Sequence, residues 1–470
     1  MAPRVEIRVP RTHAAERAYA ASVVVGEFLG IDHVVRRVDG HGVVLRLEGD
    51  DRHVFVPDGL FAHNEADWLT PASLPREPVA HRDVGVDLPD ARLVDCRLPI
   101  LYPVAPETRP LLETDAGQGS TTLHLDVFGT AFFTLTRYEE AVDQASRDEH
   151  GRFPARASVA YRAGFLTRPI ADEYAEVLRA VLRRVWPRLD LRSPAGGVWL
   201  THDVDLPLVA AGRRWRRVAR SAGADLLLRR SPGLARTRIG ARMRAGRGDP
   251  DRDPANTFDF LMSVAEAAGL RACFNFLADG KAEADGSYRL TDPWIHGLLR
   301  RIASRGHELG FHGSYEAFDD AGRIAEEFAG LRTAANTLAI AQPEWGGRQH
   351  FLRWSNPWTW RAWSEAGLRH DSSVYFAELP GFRTGSARAY PVFDLARRRP
   401  LQLVERPLTF MDTSAARYLR LNADQTLELA LRLAETCKAV GGTFVLLWHN
   451  DAVMTEPSRR LYRDLVTELG

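Results

Sequence analysis

At 470 residues with 45% hydrophobic content, the chain holds enough apolar material for ordinary cores in two or three domains, and it reads as soluble and globular. Its formal net charge of +1 excludes a global electrostatic pull towards nucleic acid or an acidic membrane. No apolar run approaches the roughly 20 residues that span a bilayer, and the N-terminus lacks the charged, apolar, small-residue order of a signal peptide, so a cytoplasmic protein is expected. The three cysteines, Cys96, Cys273 and Cys437, lie far apart with no CxxC spacing. They give no sign of a disulfide framework or a zinc ribbon, and are expected to be small buried hydrophobes.

In chain order, residues 1 to 190 mix short alternating strands, such as "HGVVLRLEGDDRHVFVP", with a closing amphipathic helix, "PIADEYAEVLRAVLRRVWPRL". This N-terminal α+β domain shows no catalytic cluster. "RSPAGG" breaks the pattern, and "GVWLTHDVD" opens a second domain, 196–470, as an unbroken apolar strand suited to a parallel sheet covered on both faces. An arginine-rich insertion at about 212–253 follows that strand. A solvated insertion with one or two helices is expected there, ahead of peripheral membrane contact or a grip on nucleic acid. From 254 onward strand-like and helix-like segments alternate: "RACFNFLADG", "PWIHGLLRRIASRG", "HELGFHG", "AGRIAEEFAGLRTAANTLAI", "GGRQHFLRW", "NPWTWRAWSEAG" and "TFVLLWHND". Repeated βα units favour an α/β fold, either a parallel (β/α) barrel or a doubly wound sheet.

On this reading Asp203, Asp205, His312, Arg348 and His449 each stand at the C-terminal end of a strand. That is the edge where α/β folds assemble active sites. A lone polar residue there is usually a cap or a satisfied half-buried group; five from separate stretches converging on one rim point to chemistry. Strand alternation predicts that Asp203 and Asp205, with Val204 between them, project to the same side. Tyr315, Trp345, Trp354 and Trp358 offer flat faces on which a sugar ring can stack. Trp360 and Trp363 sit at helical spacing and are assigned to core.

The order of "THDVD", "GHELGFHGSY", "GGRQHFLRW", "VERPLTFMD" and "LLWHND" resembles the polysaccharide deacetylase (NodB-homology, carbohydrate esterase family 4) superfamily over about 196–470. "LDVFGTAFFTLTRYEEA", "HGRFPARAS" and "GFLTRPIADEY" resemble the uncharacterised domain that precedes this catalytic unit in a bacterial subgroup. The resemblance implies a parallel (β/α) barrel of the NodB-homology type. It also implies a hydrolase that removes N-acetyl groups from an amino sugar in a glycan or polysaccharide precursor, with a carbohydrate substrate and no nucleic acid. It implies a divalent metal ion, with zinc expected, as cofactor. An activated water, a stabilised oxyanion and a protonated amine leaving group are what such a reaction requires.

Carried over residue by residue, the resemblance makes Asp203 the general base, Arg348 its partner, His449 the acid that protonates the amine, and Asp205 and His312 metal ligands. The family places two histidine ligands four residues apart. Here Glu316 stands four residues after His312, and is expected as the third ligand. His350 and Arg353 are secondary candidates for the same rim, His307 is read as structural, and His202 as a half-buried packing residue. Glu405 and Asp412 are open to binding substrate or orienting His449; Asp451 is open to fixing the tautomer of His449 if the turn brings it back. Two other readings stay open: a catalytically inactive glycan-binding or scaffolding relative, and a metal-independent C–N hydrolase of the same superfamily.

Overall fold

Apolar residues alternate along Val5–Pro10 (β1), and every second side chain of this strand is buried. In the computed structural model, which describes residues 4–191, 195–209, 223, 236, 239–240, 249–278, 282, 284–286 and 288–470, β1 lies inside a six-stranded sheet. Its companions are His33–Val38 (β2), Val43–Leu47 (β3), His53–Val56 (β4), Leu112–Asp115 (β7) and Ser120–Leu123 (β8), in the order β2-β1-β3-β4-β8-β7. Ala80–Asp83 (β5) and Arg97–Ile100 (β6) form a separate two-stranded sheet. β3 and β4, the short strands expected in "HGVVLRLEGDDRHVFVP", pair antiparallel.

The expected amphipathic helix forms over Ile170–Val185, but its charged residues Asp172, Glu173, Glu176 and Arg179 are buried too. Asp172 accepts hydrogen bonds from Ala387 and Ser386, and Glu176 pairs with Arg388 at 2.6 Å. The helix is therefore wedged between the N-terminal sheet and the segment leading into Tyr390–Asp394, and these buried charges are met by partners in place of water.

The rest of the described chain builds a nine-stranded sheet from Gly197–Val204 (β9), Ala272–Leu277 (β10), Glu308–Gly313 (β11), Gly346–Gln349 (β12), His370–Asp371 (β13), Tyr390–Asp394 (β14), Arg399–Glu405 (β15), Phe410–Met411 (β16) and Thr443–Leu447 (β17). The order is β14-β15-β13-β12-β11-β10-β9-β17-β16, parallel throughout except for β14 against β15. Helices Pro293–Ser304, Ala321–Thr337, Trp358–Glu365 and Ala423–Ala439 alternate with the strands, as the βα pattern predicts.

The sheet curls strongly. Arg348 on β12 reaches Thr201 on β9 at 3.1 Å, although β11 and β10 lie between them. In a flat sheet those strands would stand roughly 14 Å apart. The curl does not close: no pairing joins β16 to β15 or β14 among the described residues. The closed barrel expected from the sequence is a partial one, because β14 folds back antiparallel at one edge and β16 is only two residues long.

Cys273 and Cys437 are buried as expected, but Cys96 is exposed beside β6. No helix among the described residues is long and apolar enough to cross a membrane. Nearly all of the arginine-rich stretch at about 212–253 lies outside the described residues.

Candidate active site

The strand period sorts the "THDVD" stretch into two faces. Thr201, Asp203 and Asp205 point into the curl, whereas His202 points out against the helix Glu456–Leu469. His202 is fully buried: its Nδ1–H donates to the Trp448 carbonyl at 2.7 Å and its Nε2 accepts from Tyr462 at 3.3 Å. Burial pushes its pKa down to about 4, so the ring is neutral and structural. His307 is structural as well, its Nδ1 accepting from the Ala272 amide and its Nε2 facing Glu266.

Asp203 is almost fully buried and its Oδ1 accepts from Asn275 on β10 at 2.7 Å and from Arg348 on β12 at 3.0 Å. Burial pushes the carboxyl up, and Arg348, ahead of His312 and His449, more than offsets it, so the group is held below its usual range as a carboxylate. Arg348 is itself locked by Thr201 and Ser372. Asn275 owes its place to Gly310 on β11, where a Cβ would collide with the Asn275 amide oxygen. Oδ1 is thus occupied, and Oδ2 faces His312 Nε2 at 3.8 Å.

Asp205, His312 and His350 bring one ligand atom each to within 4.8 Å of one another. His312 Nδ1 donates to the Arg348 carbonyl at 2.8 Å, which aims its Nε2 at Asp205 Oδ1, 3.2 Å away. His350 Nδ1 donates to Asp285 at 2.8 Å, and its Nε2 lies 3.6 Å from Asp205 Oδ2. His312 Nε2 and Asp205 Oδ1 are buried without hydrogen-bond partners. A ring nitrogen and a carboxylate oxygen at that range call for a proton or a cation between them. Burial opposes a charged His350, yet Asp205 and Asp285 outweigh it and push its pKa up to about 9. One carboxylate and two imidazoles, each ring oriented by an outer acceptor, are a donor set that could hold a divalent cation.

Glu316 is not part of this group. It lies in an exposed turn after β11 and pairs with Arg323 of the following helix at 2.9 Å. The position expected for Glu316 is filled by His350, two residues beyond Arg348, which the sequence marked only as a secondary candidate. Asp285 and Asn275 went unmarked, since nothing in the spacing of "ADGS" or "CFNF" ties them to the rim. The remaining expected residue, His449, hydrogen-bonds Asp412 Oδ1 through Nδ1 at 2.7 Å, and its Nε2 lies 3.7 Å from Asp205. Burial lowers the pKa of His449, but Asp412, then Asp205 and Asp203, carry it well above the ordinary histidine value. Asp412 orients the ring. Glu405 is buried elsewhere, accepting from Trp360 and the Val374 amide.

Of the aromatic residues, Trp354, Trp360 and Trp363 are core. Trp345 packs on Phe328, and Trp358 is exposed beneath Arg361. Tyr315 alone of this set stands by the candidate metal ligands, its amide donating to Asp285.

Residues 5–187 match a family of unknown function (DUF7033). A comparison with curated proteins returns no match. Among solved structures, the chain is similar to a protein described as a polysaccharide deacetylase from Mycobacterium smegmatis, at 17% identity and a TM-score of 0.37, covering 58% of this chain and 84% of that one. It is similar at 14% identity and a TM-score of 0.32 to one so described from Pseudomonas aeruginosa PAO1, covering 47% and 71%. Puue allantoinase gives 12% identity and a TM-score of 0.35, covering 58% and 82%.

Proposed function

We propose that the protein is a metal-dependent amide hydrolase that removes the N-acetyl group of an amino sugar in a glycan or polysaccharide precursor. The observation that carries this reading is the set of three inward-facing donor atoms, from Asp205, His312 and His350, beside a buried carboxylate held ionised by an arginine. A divalent cation held by those three residues, zinc being the expected ion, supplies electrophilic polarisation of the acyl oxygen and acidifies a neighbouring water.

The chain's own groups do the rest. Asp203, with Oδ1 fixed by Asn275 and Arg348, presents Oδ2 as the base that takes a proton from the attacking water. Asp412, bonded to Nδ1 of His449, favours the charged ring. The ring Nε2, 3.7 Å from Asp205, delivers a proton to the departing amine. The acid and base are thus separate groups whose environments push their pKa values apart.

The test pairs metal analysis of the purified protein with acetate release from N-acetylhexosamine compounds. Bound divalent metal, chelator-sensitive acetate release, and its loss in Asp203→Asn with the fold retained are expected. Full-rate hydrolysis in excess chelator with no bound metal would replace this reading by a metal-independent hydrolase.

A further inference from the structure

Directly after His350 the chain takes two consecutive left-handed residues, Phe351 at φ 58° and Leu352 at φ 57°. Non-glycine residues adopt that conformation rarely, and a pair of them persists only where the surroundings over-determine it. Leu352 is fastened from inside the sheet, packed in a cluster with Tyr375, Met411 and Val445. Phe351 is fastened from the N-terminal part of the chain. Arg152, paired with Asp148 at 2.7 Å, donates through Nη1 to the Phe351 carbonyl at 3.1 Å and through Nη2 to Tyr418 at 3.2 Å. The His150 ring lies against Phe351 with centroids 4.9 Å apart, and its carbonyl accepts from Arg353 at 2.8 Å.

The same loop reaches the site by a second route. His150 Nδ1 is 3.0 Å from the Tyr315 hydroxyl, and the Tyr315 amide donates to Asp285 Oδ1, the atom that also accepts from His350. Both the turn that carries His350 and the carboxylate that orients its ring are therefore held by residues 148–152. These residues fall within the stretch that matches a family of unknown function.

We infer that Arg152 and His150 are positioning residues for the metal ligand His350, so that the N-terminal part of the chain completes the metal site built on the second sheet. The inference rests on the metal-dependent reading above. A ligand placed by a strained turn holds its geometry only while the groups bonded to that turn stay in place, and loss of such outer partners costs about 10- to 100-fold in metal affinity in other metal sites.

Full-length wild type, Arg152→Ala and Arg152→Lys are to be loaded with cobalt(II) for visible spectroscopy and titrated with zinc against a chromophoric chelator. Arg152→Ala is expected to bind zinc about tenfold or more weakly, with an altered cobalt spectrum, in metal-free protein that still unfolds in one cooperative transition, at a lower temperature than wild type because Asp148 loses its partner. Arg152→Lys keeps a charge for Asp148 but replaces a planar fork by a point donor, and is expected to recover part of the loss. Wild-type affinity and spectrum in Arg152→Ala overturn the inference. If Arg152→Ala does not fold, His150→Ala, at a partly exposed ring, carries the same measurement; weakened zinc binding supports the inference and unchanged binding overturns it. Wild-type protein that binds neither ion removes the metal reading itself, and the positioning role with it.

Discussion

Replacing Arg348 by methionine isolates the electrostatic core of the site. Arg348 is fully buried, and its guanidinium donates to Asp203 at 3.0 Å, to Thr201 at 3.1 Å, and to the Ser372 carbonyl and hydroxyl at 2.9 and 3.0 Å. Methionine fills a similar length of space but leaves Asp203, 3% exposed, with the Asn275 amide as its remaining hydrogen-bond partner. Stranding one member of a buried ion pair costs about 3–5 kcal/mol, a large share of the stability of an ordinary domain. Urea unfolding at pH 7 is the assay, with Asp203→Asn and the double variant completing a cycle. Because the loss comes from an unpaired charge, adding Asp203→Asn to Arg348→Met should recover more than half of it. The pH sign follows. In wild type the Asp203 pKa is depressed, so its contribution is present above the unfolded value of about 3.9 and lost below it. In Arg348→Met burial acts unopposed by the guanidinium and raises the pKa, so the deficit is greatest at neutral pH and shrinks as pH falls towards about 4. A loss under about 1 kcal/mol in Arg348→Met, or no recovery in the double variant, would refute the reasoning.

The third metal ligand is decided by comparing His350→Ala with Glu316→Ala: zinc binding should be lost in the first and unchanged in the second, and the reverse pattern in equilibrium dialysis would restore Glu316 to the site. His202, whose pKa is pushed down to about 4 by burial, takes a proton on unfolding that the native state refuses. Wild type should therefore lose about 2 kcal/mol between pH 7 and pH 5 that His202→Gln does not lose, and equal slopes for the two proteins in urea titrations would exclude the effect. Gly310→Ala drives a methyl into the Asn275 amide oxygen. It should displace Asn275 from Asp203 and lower kcat about tenfold or more with KM little changed, whereas an unaltered kcat would show that Asn275 does not set the base.

The period of a strand is two, so "THDVD" already separates Asp203 and Asp205 from His202, and the structure has the aspartates on the inner face and the histidine against a helix. Local pattern likewise made the strands ending at His312, Arg348 and His449 legible, since an apolar run that stops at a polar residue carries its own boundary. What spacing alone does not carry is where the backbone goes once regular structure ends. Counting four residues on from His312 selects Glu316, but the chain leaves β11 into an exposed turn and that carboxylate finds Arg323. His350 enters the site through a left-handed turn, held by Arg152 from a part of the chain nearly 200 residues earlier in which no catalytic pattern is visible. Asn275 meets Asp203 because β10 pairs with β9 in that register, and Asp285 meets His350 because the chain after β10 returns to the end of β12. Alternation and apolar runs are local properties of consecutive residues and are written in the sequence. The curl, the path of the turns and the choice of hydrogen-bond partners come from packing between distant segments, and these decided which residues make the site.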